Sequence, residues 1–278
     1  MKVPKVFTPV IRIAQFTIAD EIRQRSFIVM FVICSLFIFM VRGCYQGDYR
    51  LDGQEIEAAK IIIMLSRITF HVIAGGMMFL AGLLAMRIFR RDRDDGTQSF
   101  ILSKPISRRQ YVSGKVLGLW TLLTVFMFVL HGIVFLITSV RLNIVMPEYL
   151  WSSAWCSINL FFIIVAVLTL SLMMPDVAAL LCVVGIGIIG VVSNAFSAVS
   201  RTPIGQAILQ HSQSDVSMWQ VIDYAWPQIA GVQRFAVSFI GANEFGVHAS
   251  VYPVINILAY CILSGVLLFR RFGKEEII

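Results

Sequence analysis

Residues 90–115 read RRDRDDGTQSFILSKPISRRQYVSGK, a dense charged island between the apolar runs IAGGMMFLAGLLAM (73–86) and VLGLWTLLTVFMFVL (116–130). Only 14% of the chain is charged, 58% is hydrophobic, and the mean hydropathy is +0.82. That apolar share exceeds the roughly 45 to 50% of soluble domains, so the chain reads as an integral membrane protein whose island must work in water. The net charge of +7 does not point to nucleic acid, because the basic residues flank apolar runs and build no separate basic domain.

A membrane helix needs about 20 mostly apolar residues, fewer when its ends snorkel. Six segments qualify: 27–41, 70–86, 116–140, 157–174, 177–199 and 249–269, the second with a possible start near Ile61. Of the 23 Lys and Arg, 16 fall before the first segment, in 87–115 and after the sixth, against 7 in the alternate loops. The positive-inside rule then places both termini and the 87–115 loop in the cytoplasm and the long 200–248 segment outside. The expected fold is all-α: one polytopic membrane domain over 1–278, with six transmembrane helices, an N-terminal amphipathic interfacial helix and short external re-entrant helices. The 26 residues before the first apolar run do not form a cleavable signal, and Arg42 spoils a lipoprotein-like box ending at Cys44. A bacterial or archaeal cytoplasmic membrane is the expected location.

Within residues 1–26, Phe7, Val10, Ile11, Ala14, Ile18 and Ile22 recur at spacings of three and four. This pattern describes either a helix lying in the membrane interface or an extension of the first membrane helix. In the island, Arg87, Arg90, Arg91 and Arg93 end the second membrane helix, Asp94 and Asp95 are placed to cap a new helix, and Gly96 permits a tight reversal. Gln98 to Leu102 then suits a short surface helix that Pro105 stops. Ser107 is placed to cap the next turn, while Arg108, Arg109 and Lys115 anchor the third membrane helix.

Asp95-Gly96-Thr97, Leu102-Ser103-Lys104-Pro105-Ile106-Ser107-Arg108 and then Tyr111, Gly114, Lys115 and Gly118 resemble the first cytoplasmic loop of type-2 ATP-binding-cassette (ABC) permeases. Members commonly carry Glu where this chain has Asp94 or Asp95, a difference that preserves charge. The resemblance implies a membrane dimer, with a second copy or a relative, on which two ABC ATPase subunits dock. ATP and Mg would be held by those partners and no cofactor by this chain. It also implies that the short helix is the element seated in the ATPase, with Asp94, Asp95, Gly96, Thr97, Phe100, Leu102, Pro105 and Arg108 as the coupling residues.

No ATPase motif accompanies the loop. Gly114-Lys115 is followed by Val116 and lacks the earlier glycine of a phosphate loop. Gly185, Gly187 and Gly190 match a dinucleotide pattern only formally, inside an apolar run, and read as close helix packing. No H-E-x-x-H occurs, the four His are scattered, and no catalytic or metal site is expected. Arg67 and His71, four apart, and the intramembrane His131 are the candidates for a translocation path, against snorkelling or satisfied core polar groups. The twelve Met read as packing rather than Cu(I) ligands. Cys44 and Cys156 map to one side of the membrane and leave pairing open. In 200–248, Trp219, Tyr224, Trp226, Phe235, Phe239 and Phe245 suit either an aromatic belt or cargo contact, and Ile229 to Ile240 is too short to span.

Two function classes remain. The first is the permease subunit of an ATP-driven exporter; the second is a secondary transporter or channel, which would place coupled ionisable groups or broken helices near the midplane.

Overall fold

The computed structural model describes residues 7–44, 50–51, 54–55, 58–142, 145–200, 224–240 and 250–274. The first helix, α1 (Phe7–Ile22), is followed by α2 (Arg25–Cys44), α3 (Ala58–Asp94), the short α4 (Thr97–Leu102) and α5 (Arg108–Leu142). Then come α6 (Glu148–Ser171), α7 (Asp176–Ser200), the ten-residue α8 (Ile229–Ser238) and α9 (Tyr252–Lys274). Between α2 and α3, β1 (Arg50–Leu51) and β2 (Gln54–Glu55) form a small antiparallel pair with Arg50 opposite Glu55.

Five of the described helices, α3, α5, α6, α7 and α9, are long and apolar enough to cross a membrane. The expected first span lies in α2, whose strongly apolar part is the shorter Phe27–Leu36 stretch. Helices continue past their apolar windows because backbone hydrogen bonds do not require apolar side chains. Thus α3 begins at Ala58 rather than 70, α6 runs Glu148–Ser171 rather than 157–174, and α9 is shifted to Tyr252–Lys274 from 249–269. α6 is the most enclosed of the five spans and α7 the least. Val177, Leu181, Ile188, Val191 and Val192 on α7 are exposed, an outward apolar face that only lipid or another apolar surface can cover.

The N-terminal segment is a helix of its own. The chain breaks at Arg23 and Gln24, where Gln24 N–H donates to the Glu21 carbonyl at 3.2 Å and Phe27 N–H to the Gln24 carbonyl at 3.1 Å. α1 also does more than lie in the interface with its apolar side in lipid. Its principal neighbour is α5, and Ile13, Thr17 and Glu21, spaced by four, are buried, leaving Ile11, Phe16 and Ile22 exposed as the lipid-facing remainder. The reason is on α5. A Cβ built on Gly114 would stand 2.7 Å from Ile13 Cβ, and one on Gly118 2.7 Å from the Ala14 carbonyl. Two glycines four apart make a flat strip on which another helix backbone can rest.

α8 is the short helix expected in the external segment, and it is inserted among other helices rather than laid over them. It packs on α6, α7, α9 and α3, and Ile229, Val232, Phe235, Ala236 and Ile240 are buried. Its backbone ends, which the bundle hides from water, find side-chain partners. Asn159 Nδ2 donates to the Ile229 carbonyl at 2.9 Å, the Gln228 N–H donates to Asn256 Oδ1 at 3.2 Å, and Arg67 Nε donates to the Ile240 carbonyl at 2.9 Å. Buried backbone groups without water must be satisfied this way. Of the external aromatics, Trp226 donates to the Ile186 carbonyl at 2.9 Å, and Phe235 meets Trp155 edge-on at 5.4 Å. Trp219 and Phe245 lie outside the described residues.

Candidate functional site

The loop between α3 and α5 is a built structure. α3 ends as Gly96 takes φ of +67°, the left-handed conformation glycine adopts without a Cβ clash. Its N–H donates to the Arg93 carbonyl at 3.1 Å, and its own carbonyl accepts the Phe100 N–H at 3.1 Å. One glycine therefore closes α3 and opens α4. Asp94 does not cap α4; it is the last residue of α3 and stands 3.9 Å from Arg90, both side chains being exposed. Asp95 keeps its N–H in the last turn of α3, bonded to the Arg91 carbonyl at 2.8 Å. Thr97 is half-buried, as is Ile101, which packs onto the core.

At the far side, Ser107 and Gln110 form a reciprocal cap. Gln110 N–H donates to Ser107 Oγ at 3.3 Å and Ser107 N–H to Gln110 Oε1 at 2.9 Å. This is the capping-box geometry that starts α5 three residues after Pro105. The outward tip is Phe100, 66% exposed, with Lys104 Nζ 4.8 Å above its ring. Apart from Lys104, the ring stands largely open among the described residues.

Beneath the loop lies a charged layer that the sequence did not reveal. Asp92 is 2% exposed and Lys115 0%, and Lys115 Nζ stands 2.6 Å from Asp92 Oδ2. The Tyr111 hydroxyl donates to the same oxygen. Arg91 bonds Glu21 Oε1 at 3.0 Å and also pairs with Asp20. Burial raises the Glu21 carboxyl from its ordinary range, and Arg91 opposes that shift. Arg108, expected at the partner surface, is half-buried and donates to the Gly273 carbonyl at 3.1 Å. The ends of α1, α3, α5 and α9 are thus tied together directly behind α4. Such ties join residues up to 165 positions apart, beyond the reach of local spacing.

The path candidates sit elsewhere and apart from one another in role. Arg67 holds the Ile240 carbonyl, as above. His71 is half-buried, within hydrogen-bonding reach of Gln233. His131 is buried, stacked on Phe70 at 4.4 Å with an interplanar angle of 3°, and its Nδ1 lies 2.8 Å from Ser153 Oγ. Beside them Ser66 and Thr138 share a 2.9 Å hydrogen bond. If Arg67 is a cap, Arg67→Met costs about 1 to 3 kcal/mol for an orphaned buried carbonyl. Thermal unfolding in detergent is then expected to show a lowered midpoint. An unchanged midpoint with reduced transport would make Arg67 a path residue instead.

An apolar groove of about 340 Å³ opens between α3, α6, α7 and α8, lined by Gly75, Phe79, Ile163, Gly187, Val191 and Gln233 among others. Gly185 and Gly187 have no atom within 4 Å of a built Cβ, whereas Gly190 approaches the Pro227 carbonyl at 3.4 Å. The expected close packing therefore holds only for Gly190, and Gly187 serves as open wall. Cys156 is a buried free thiol; the Cys44 side chain lies outside the described residues. Among the described residues no three His, Cys, Asp or Glu side chains converge.

No curated protein matches the chain significantly. The family model described as ABC-2 family transporter protein matches residues 11–277, nearly the whole chain, including the glycine-closed loop and the bundle behind it. The chain therefore belongs to the ABC-2 family of transporter proteins.

Proposed function

We propose that this permease is the single-domain membrane subunit of an ATP-driven exporter, and that α4 is where a separate ABC ATPase pushes. Two ATPase subunits, holding ATP and Mg, would dock on a pair of permeases, with this chain's termini and α3–α5 loop in the cytoplasm of a prokaryotic cell. The observation that carries the reading is the loop itself. A short helix presents an exposed Phe100 on a base of buried ion pairs, so a displacement of α4 has stiff connections into α3, α5, α1 and α9. Asp94, Asp95, Gly96, Thr97, Phe100, Leu102, Pro105 and Arg108 divide the work. Phe100 and the exposed carboxylates Asp94 and Asp95 meet the ATPase. Gly96 and Pro105 bound α4, Thr97 and Leu102 are its end residues, and Arg108 ties the loop to α9.

The apolar groove between α3 and α7 favours an amphipathic or lipid-like cargo moving along the permease pair, which buries no water in a wide polar channel. A secondary transporter is the weaker reading. Arg67 is engaged with a backbone carbonyl and His131 with Ser153 and Phe70, so neither side chain has the freedom a titrating relay requires.

The test is co-purification with the ATPase encoded beside this chain. Truncating an exposed aromatic anchor costs about 2 kcal/mol or more, roughly 30-fold in affinity. Asp95→Lys with Phe100→Ala is therefore expected to release the ATPase while the permease remains folded. Retained binding and full coupled ATPase activity in that variant would sink the assignment.

A further inference from the structure

We infer that the cleft between the start of α5 and the end of α9 is a binding site for the phosphate headgroup of an anionic membrane lipid. The cleft is about 410 Å³ in volume. Three arginines, Arg108, Arg109 and Arg270, line it together with the apolar Val112, Phe269 and Phe272. Val112 and Phe272 are buried, while Arg109 and Arg270 are exposed. No Asp or Glu is among the described residues lining it.

Three features select the ligand. The lining brings three guanidiniums together without a carboxylate, and planar guanidinium forks match phosphate oxygens. One of the three is already immobilised, because Arg108 donates to the Gly273 carbonyl; the cleft is therefore partly preorganised. Part of the lining is apolar and aromatic, which a free anion does not require but the glycerol and upper acyl chain of a lipid do. The position completes the argument: α5 and α9 are both membrane-crossing helices, and these are their ends, at the depth where headgroups lie. Basic pockets between membrane helices at this depth are suited to phosphate headgroups. The site touches α9 and the base of the loop but not the tip at Phe100, so it is separate from the surface proposed for the ATPase. It also does not depend on the direction of transport or on which side the loop faces.

The test titrates phosphatidylglycerol into the detergent-purified full chain and counts bound lipid by native mass spectrometry. Phosphatidylcholine is the neutral lipid arm and inorganic phosphate the free anion arm. Removing two surface-depth arginines is expected to weaken phosphatidylglycerol binding about tenfold or more, so R109Q/R270Q loses the bound lipid while R12Q, an exposed arginine on α1, keeps it. Should the double variant unfold, R270Q alone carries the comparison, since its side chain is exposed at a helix end.

Unchanged affinity in these variants, an equal loss in R12Q, or equal binding of phosphatidylcholine overturns the proposal. Displacement of the lipid by inorganic phosphate alone overturns the lipid assignment in favour of a free anion. Glu275 and Glu276 follow the helix in sequence. If phosphatidylglycerol binds only the E275Q/E276Q variant, the chain's own tail is the occupant and the proposal falls.

Discussion

Asp92→Ala is expected to destabilise the loop end of the bundle by about 3 to 5 kcal/mol, the cost of leaving a buried charge without its partner. Lys115 has no exposure and its ammonium stands 2.6 Å from Asp92; removing the carboxylate strands it beside the faces of Phe16 and Tyr111, at 5.6 and 5.9 Å. Ring faces attract a cation but do not replace a counter-ion. The Tyr111 hydroxyl loses its acceptor in the same step. Lys115→Met alone is milder, because Asp92 keeps the Tyr111 hydroxyl. The double variant Asp92→Leu with Lys115→Met recovers part of the loss, since an apolar pair of similar volume removes the buried charge, while the Tyr111 hydroxyl still lacks its acceptor. A double-mutant cycle of Asp92→Leu, Lys115→Met and the two together, on unfolding in detergent, measures this. Additive single effects would show that the two residues do not act as a pair.

Gly118→Val is expected to expel α1 from its seat on α5. The built Cβ at Gly118 falls 2.7 Å from the Ala14 carbonyl, 2.9 Å from Thr17 Cβ and 3.0 Å from Ala14 Cα. Backbone atoms cannot step aside as a flexible side chain does, so the helix itself must move. Overpacking costs about 1 to 3 kcal/mol and more when no relaxation is possible. Thr17 is buried in the parent, so a Thr17→Cys reporter is expected to react with a soluble maleimide only when Gly118 is replaced. Gly132, on the same α5, has nothing within 4 Å of its built Cβ, and Gly132→Ala serves as the tolerated control. Equal labelling in both backgrounds would mean that α1 is not held by the glycine strip.

The reading of the sequence succeeded where the controlling interactions are local. The reversal at Gly96, the short helix after it and the cap at Ser107 all depend on residues within four positions of one another. Failures came where partners are distant. Gly114 and Gly118 were visible as part of a family-like motif, and their spacing already had the form of a helix-packing strip, but nothing local said that α1 is what rests on it. Asp92 was one of several acids in the island, and its burial follows from Lys115, 23 positions on. Arg67 was read as a path candidate because it stands four residues before His71 on one helical face; its hydrogen bond to the Ile240 carbonyl, 173 positions away, was beyond the reach of that spacing. Most helix ends erred outward, the exceptions being the end of α6 and the start of α9. Apolar windows mark where lipid begins, whereas helices end where caps and turns permit.

Helix α3 gives these separate observations a mechanical connection. It runs unbroken for 37 residues, about 55 Å at 1.5 Å per residue, with Gly96 and α4 at one end and Arg67 near the other. Because Arg67 holds the Ile240 carbonyl, two residues past the end of α8, the rod has a load attached in its far half. Arg67 lies 27 residues from Asp94, about 40 Å at 1.5 Å per residue, so a tilt of about 8° pivoting at the α4 end would move it by roughly 5.5 Å, close to one helical turn. Under the coupling proposed above, a push at α4 would reach α8 through this one helix, with no hinge needed between the two ends.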